Sequence, residues 1–263
     1  DKIAFEKAGI MKAGVPCVIG YQTKVAHDAG VLKVFHDVST SLSPEAKIFQ
    51  YGAEWFSEPK NDAMQFTWLE ESIITCRPNL LGAHQIYNAG AALAAYRVIM
   101  GEAFDADILS PENPNNPLLI IHWPGRLQRL NNEPLCAHLK GTQELWIDGG
   151  HNDSAGVFLA EQAQAWQAQD DKPLHLIVAM VNRKTPSEFL STLIPYTNSL
   201  TCTEIKGEVS TFKAEELYEL CKPLGFKQLH VNNDIAAAVE NIDDPNARIL
   251  ITGSLYLLGN VLK

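Results

Sequence analysis

The stretch Glu144-Leu145-Trp146-Ile147-Asp148-Gly149-Gly150-His151-Asn152 decides the fold of this 263-residue chain. It begins with a short apolar run that predicts a buried strand and ends in an acidic, glycine-rich turn. A helical pattern follows, with Leu159, Ala163 and Trp166 at i, i+4 and i+7. A strand, a polar turn and a helix in this order are the repeating unit of a parallel sheet, in which ligands lie beyond the carboxyl ends of the strands.

The same alternation continues to the end of the sequence. The predicted strands are Leu174–Met180, Leu200–Ile205, Gln228–Val231 and Arg248–Thr252, and the predicted helices are Pro186–Ile194, Phe212–Cys221, one capped by Asp234, and Leu255–Leu262. Apolar strands alternating with helices predict an α/β domain with a mostly parallel sheet that is covered on both faces.

The first half of the chain has a different texture. Helices are predicted at 2–12, 26–38 and 84–100, a buried strand at 17–20, and two or three antiparallel strands within 47–76. At about 150 residues per domain, the length predicts two domains. We place them at residues 1–129 and 130–263.

Composition excludes several classes of protein. The net charge is −10, which argues against a non-specific nucleic-acid binder. No apolar run approaches the ~18 residues of a membrane span, and no signal segment opens the chain. The five cysteines form no C-x-x-C pair and the histidines have no metal-ligand spacing, so we expect a cytoplasmic protein with reduced thiols. The chain starts inside a helical pattern without Met, which predicts a processed or truncated protein.

Polar residues at predicted turns are the candidates for ligand binding. Asp148, at the end of its strand, could accept hydrogen bonds from two ribose hydroxyls, and His151 could donate one to a phosphate. A simple Asp-Gly turn is the alternative. Arg126, after Pro124-Gly125, suits bidentate phosphate binding, or is a surface or ion-paired arginine. Ser254, after the last strand, either caps a helix or helps an anion bind there.

Two further candidates lie in the first half. Asn88 shares a helix face with His84 and suits an adenine edge, or is merely solvated while His84 and Gln85 cap the helix. Lys7 lies between small and apolar residues. If it is partly buried, its amine could react with carbon dioxide; the alternative is an ordinary ion pair with Glu6.

Five segments in order resemble one known family. They are KIAFEKAGIMKAGVP (2–16), LLGAHQIYNAGAALAA (80–95), WPGRLQRL (123–130), LWIDGGHN (145–152) and ITGSLYLLGNVL (251–262). The sequence is similar to the carboxy-terminal part of dihydrofolate synthases/folylpolyglutamate synthases, a branch of the Mur ligase superfamily. The resemblance implies that residues 1–129 end a P-loop-type ATPase (Mur ligase central) domain and that 130–263 form a Rossmann-like domain.

The resemblance also implies roles for single residues. Lys7 matches a lysine that carries a carbamate and thereby supports a magnesium ion, although this chain would supply no direct metal ligand. Asn88 matches an ATP contact near the base, Arg126 a phosphate ligand, and Asp148 the acceptor of the ribose hydroxyls. His151 matches a histidine near the phosphates or the substrate. The implied enzyme is a monomer that uses ATP and Mg²⁺ to join L-glutamate to dihydropteroate or a folate through an acyl phosphate.

The sequence departs from the family pattern at several points. Asp153 stands where the family commonly has proline, and Asn182-Arg183-Lys184-Thr185 replaces a K-D-type loop. The glycine-rich phosphate loop of the family does not occur in this sequence, so we expect the chain to be inactive alone. Two alternatives therefore stay open: another amino-acid ligase of the superfamily, such as a peptidoglycan-precursor ligase, and a non-catalytic nucleotide-binding fragment.

Overall fold

The computed structural model describes residues 2–263 and divides the chain into two compact units, one ending at His122 and the other spanning Trp123–Lys263. The division falls before the boundary predicted at residue 129. The reason is that the turn at 123–127 is tied to the second sheet. Gly149 N–H donates to the Gly125 carbonyl (2.9 Å), and Leu127 N–H donates to the Asp148 carboxylate (2.9 Å).

Over residues 2–122, the first unit contains a parallel pair of strands, an antiparallel meander and four α-helices. The strands are β1 (Cys17–Ile19) and β2 (Ile48–Gln50), which pair in parallel, and β3 (Trp55–Lys60), β4 (Ala63–Trp68) and β5 (Glu71–Cys76). The helices are α1 (Lys2–Ala8), α2 (Lys24–Asp28), α3 (Val31–Ser41) and α4 (His84–Met100). The single helix predicted at 26–38 is wrong, because Gly30 adopts a left-handed conformation (φ 75°) that separates α2 from α3.

The core of the first unit lies between α4 and the meander. Trp55, Met64 and Phe66 of the strands are buried against Ile86 and Leu93 of α4. Packing against this helix buries the apolar face of the three-stranded meander, which is what an antiparallel sheet of this size needs for stability.

The second unit is the predicted mostly parallel α/β sheet. Its strands are β6 (Gln128–Leu130), β7 (Glu144–Ile147), β8 (Leu174–Val178), β9 (Thr197–Cys202), β10 (Leu229–Val231) and β11 (Arg248–Thr252). Its helices are α5 (Asp153–Asp170), α6 (Pro186–Leu190), α7 (Ala214–Cys221), α8 (Ile235–Glu240) and α9 (Leu255–Val261). The strand order is β10-β9-β8-β11-β7-β6, and β6 alone of these six strands runs antiparallel to its neighbour.

Both faces of this sheet carry apolar side chains. Leu176 and Val178 of β8 face a cluster with Trp166 and Phe189, whereas Ile177 faces a second cluster with Val239. Alternation along β8 thus serves two cores, as a doubly covered parallel sheet requires. Within residues 2–263, no helix combines the length and the apolar composition needed to cross a membrane.

A buried ion-pair network fixes the amino ends of β7 and β11. Glu144 accepts hydrogen bonds from Lys172 Nζ (2.7 Å), Arg248 Nε (3.0 Å) and Trp146 Nε1 (3.2 Å). Burial alone would raise the pKa of Glu144, but the hydrogen bonds from Lys172 and Trp146 and the charge of Arg248 lower it to about 2. The two strands that lead to the candidate site therefore start from a common anchor.

Candidate functional site

Asp148 lies directly after β7 and is buried, with 8% of its surface exposed. Its Oδ1 accepts a hydrogen bond from Gly150 N–H (2.7 Å) and its Oδ2 accepts one from Leu127 N–H (2.9 Å). Burial raises the pKa of Asp148, opposed by these two hydrogen bonds and by the charges of Arg126 and His151. The side chain therefore joins two turns that are distant in sequence.

This arrangement combines the two interpretations of the Asp-Gly motif. A carboxylate offers about four lone-pair sites, and two of them are used by the backbone. The remaining sites suit a pair of hydroxyls such as those of a ribose. Asp148 is therefore both a turn residue and a candidate nucleotide contact.

His151 is half-buried beside Asp148 and has an orientation set by the backbone. Its Nδ1 lies 3.0 Å from the Gly149 carbonyl oxygen. Because a carbonyl only accepts, the proton is assigned to Nδ1. Nε2 remains to accept a hydrogen bond from a ligand, or to donate one when the ring is protonated.

Arg126 follows Gly125, whose φ of 74° turns the chain into β6. Its guanidinium is half-buried, and its charge is close enough to Asp148 to oppose the rise in that carboxyl's pKa. Within residues 2–263, however, it forms no hydrogen bond and has no carboxylate within 4.0 Å. An unpaired, half-buried arginine in a chain of net charge −10 is well suited to an anion such as phosphate.

The residues that follow β11 lie against the turn at Gly150. Gly253 N–H donates to the Gly150 carbonyl (3.0 Å), and a Cβ at Gly253 would lie 3.0 Å from Val178 and 3.1 Å from Met180. Its φ of 107° also requires glycine. The Ser254 hydroxyl accepts from Tyr256 N–H (3.1 Å), so the capping interpretation of this serine holds.

Sequence reasoning assigned no role to two cations in the turn after β8. Arg183 and Lys184 have no carboxylate partner among the described residues, whereas Lys213, at the start of α7, is paired with Glu204 (3.0 Å). Arg183 and Lys184 come after the carboxyl end of a parallel strand, as Asp148 does. Two adjacent cations after a predicted strand were the signal for them in the sequence.

The other two predicted residues lie in the first unit. Asn88 is exposed on α4, and its Nδ2 donates to Gln85 Oε1 (3.0 Å), which leaves its carbonyl oxygen for a ligand. Gln85 is buried and lies 3.0 Å from His84 Nε2, so these two side chains link to Asn88 instead of capping the helix.

Lys7 is exposed on α1, whose buried face consists of Ala4 and Ala8. The partial burial that the sequence suggested is wrong, and the described residues form no ion pair between Lys7 and Glu6. The carbamate stays a prediction. Across residues 2–263, no group of three His, Cys, Asp or Glu side chains is placed to hold a metal ion.

Comparison with known proteins identifies a family and relatives of this chain. The family model described as "Dihydrofolate synthetase, C-terminal domain" matches residues 132–263. Dihydrofolate synthase/folylpolyglutamate synthase of Bacillus subtilis is 23% identical over 265 residues, covering all of this chain and 57% of that protein. Dihydrofolate synthetase of Saccharomyces cerevisiae is 24% identical, with 60% of its length covered.

Solved structures show the same fold. Folylpolyglutamate synthase of Mycobacterium tuberculosis, complexed with ADP and AMPPCP, superimposes with a TM-score of 0.72 at 23% identity, over 98% of this chain and 57% of that one. FolC of E. coli, complexed with DHPP and ADP, gives 0.74 at 20% identity over 98% and 55%. The chain thus spans little more than half the length of these proteins.

Proposed function

The chain belongs to the dihydrofolate synthetase C-terminal domain family, and we propose that the protein carrying it is an ATP-dependent ligase that joins L-glutamate to dihydropteroate or to folates. Two relatives support this by name, the enzymes of Bacillus subtilis and Saccharomyces cerevisiae. A related enzyme of Yersinia pestis was solved with AMPPNP and a Mn ion, which supports ATP with Mg²⁺ as the nucleotide substrate here.

The observation that carries the proposal is the cluster of Arg126, Asp148 and His151 at the carboxyl edge of the second sheet. Asp148 is held by Gly150 and Leu127 with lone pairs to spare, and would accept the ribose hydroxyls. The unpaired Arg126 would bind the phosphates, and His151 Nε2 would contact a phosphate or the substrate. Asn88, with its free carbonyl oxygen, would contact the base.

The reaction would proceed through an acyl phosphate. The carboxylate of dihydropteroate or folate takes the γ-phosphoryl group of ATP, and ADP is released. The amine of L-glutamate then attacks the acyl carbon and loses a proton, and phosphate leaves from the tetrahedral intermediate. Arg126 would offset the negative charge that moves during phosphoryl transfer. Arg183 and Lys184 would suit the carboxylates of glutamate, in place of the K-D-type loop. A carbamate on Lys7 would add a carboxylate near magnesium.

A ligase assay tests the proposal on the protein that carries this chain. Dihydropteroate and a reduced folate are each supplied with L-glutamate and MgATP, and the amide product is measured together with the phosphate released. We expect product with at least one of these acceptors. Product only with a peptidoglycan precursor would instead support another Mur-superfamily ligase. Nucleotide binding without turnover on any acceptor would support a non-catalytic role.

Replacing Arg126 by alanine tests the nucleotide contact in the 263-residue chain itself. Losing hydrogen bonds to a charged group costs about 1.5–3 kcal/mol, so the dissociation constant for ADP should rise about 10- to 100-fold in calorimetric titrations. Arg129→Ala is the matched control, since Arg129 is exposed and its guanidinium lies 3.6 Å from Glu144 at the other end of β7. Equal ADP affinity in the two variants would contradict the role of Arg126.

We also propose a cytoplasmic monomer. All five cysteines are free of disulfide bonds, which suits a reducing compartment. Light scattering after gel filtration measures the oligomeric state.

A further inference from the structure

A cavity of about 600 Å³ lies on the face of the second sheet next to α8, and the proposed ligase reaction does not use it. Its volume is in the range of about 300–1,000 Å³ that is usual for small-molecule sites. Part of its lining comes from the amino ends of the strands, since His175 is the second residue of β8 and Lys227 precedes β10, and part comes from the end of β10 at Val231 and Asn232. Arg126, Asp148 and His151 are not among its lining residues, so it is separate from the carboxyl-edge site.

The floor of the cavity is polar where a parallel sheet is normally apolar. Ile249 of β11 pairs with His175, which in turn pairs with Ser199 of β9. One row further, Ile177 pairs with Thr201, which pairs with His230. The same face therefore changes from isoleucines to imidazoles and hydroxyls over β8, β9 and β10. Such a change is costly unless the polar groups have partners.

One of these polar atoms lacks a partner. His175 Nδ1 lies 2.7 Å from Ser199 Oγ, but its Nε2 is buried and has no hydrogen-bond partner among the described residues. This nitrogen has almost no accessible surface, so a ligand in the cavity would contact the exposed part of the imidazole ring and not Nε2.

The rim of the cavity carries charges of both signs. Lys227 forms no ion pair within residues 2–263. Asp243 is paired with Lys140 Nζ (2.9 Å), whereas the Asp244 carboxylate accepts, among the described residues, only the Asn246 N–H (2.9 Å), at Oδ1. None of the described lining residues is Phe, Tyr or Trp, and the rings among them are the two imidazoles of His175 and His230.

We propose that this cavity is a second ligand site that binds a small zwitterion of the α-amino-acid class. Lys227 would bind the carboxylate, Asp244 would accept from the ammonium group, and the polar side chain of the ligand would lie against the row of imidazoles and hydroxyls on the cavity floor. The proposal does not depend on the ligase activity, because none of these residues belongs to the carboxyl-edge site.

Calorimetric titration of the whole chain with L-glutamine and two of its fragments tests this site. 4-Carbamoylbutyrate lacks the ammonium group, and 4-aminobutanamide lacks the carboxylate. We expect saturable binding of glutamine and at least tenfold weaker binding of each fragment, since each lost charged contact is worth a factor of about ten or more.

Two variants test separately the contacts to the carboxylate and to the ammonium group of the ligand. Lys227→Ala should weaken glutamine and 4-carbamoylbutyrate about tenfold but leave 4-aminobutanamide unchanged, while Asp244→Asn should do the reverse. Asparagine keeps an oxygen for the Asn246 N–H, so the turn is preserved. Lys222→Ala, an exposed lysine paired with Glu219 outside the cavity, is the control. Absence of saturable glutamine binding, or equal binding by all three variants, would overturn the proposal.

Discussion

At the scale of one residue, the Asp148 carboxylate has two tasks: it holds the backbone of two turns, and it is the proposed contact for the ribose hydroxyls. Asp148→Ala removes the acceptors of two backbone N–H groups, those of Gly150 and Leu127. Each buried donor left unsatisfied costs about 1–3 kcal/mol, so we expect a loss of about 2–6 kcal/mol in the free energy of unfolding, measured by urea denaturation. ADP binding should be lost as well.

The Arg126→Ala variant distinguishes the loss of ADP binding from the loss of stability. Arg126 forms no hydrogen bond among the described residues and only its charge acts on Asp148, so Arg126→Ala should lower the free energy of unfolding by less than Asp148→Ala does while it weakens ADP binding. A stable Asp148→Ala variant would show that the two backbone bonds do not hold the turn. A strongly destabilised Arg126→Ala variant would show that this arginine is structural.

At the scale of secondary-structure elements, Glu144 anchors the sheet from the end opposite the site. Its folded-state pKa is lowered from 4.5 to about 2, so its carboxylate adds stability above pH ~4.5, and that stability is lost as the pH falls towards 2. At about 1.4 kcal/mol per unit, the contribution at pH 7 is about 3 kcal/mol. Glu144→Gln should lose this amount at pH 7.

The pH dependence distinguishes the electrostatic contribution of the Glu144 carboxylate from a contribution of its packing. The difference in unfolding free energy between the wild type and Glu144→Gln should shrink between pH 4.5 and pH 2. Glu219→Gln, at an exposed pair with Lys222, serves as the control with little effect at either pH. A difference that is constant with pH would mean that the lost stability comes from packing.

The elements also show what could be predicted from sequence. Strong periodicity or apolar runs predicted α4 and β11 with the bounds that the structure has. The start of β9 was predicted three residues late, at Leu200, because Thr197, Asn198 and Ser199 look like a polar turn. β6 was missed, since two of its three residues are polar.

The arrangement of the site residues was hard to predict because β6 was not predicted. Arg126, Asp148 and His151 were each named from sequence, but the position of the Arg126–Leu127 turn beside Asp148 depends on β6 pairing antiparallel with β7. That pairing brings the backbone of Leu127 to the Asp148 carboxylate. The burial of Lys7 could not be judged from its small neighbours, because only the fold of α1 decides which side faces the core.

At the scale of the whole molecule, the two units should differ in stability. The second unit has six strands with apolar cores on both faces. In the first unit, β1 and β2 form a sheet of only two parallel strands. Ile3, Ile10 and Val25 of that unit are 73%, 79% and 75% exposed. Parallel pairs gain stability from burial on both faces, and two strands bury little.

We therefore expect residues 2–122 to unfold before residues 123–263 as urea is raised. Hydrogen exchange followed by mass spectrometry measures this, because peptides from each unit report its opening separately. Peptides from α1, β1 and β2 should lose protection at the lowest urea concentration, and those from β8 and β11 at the highest. The central strands β8 and β11 are buried on both faces, so their amides exchange only when the whole second unit opens. Loss of protection in both units at one urea concentration would mean that the chain unfolds as a single cooperative body, and that the sparse core of the first unit does not limit its stability.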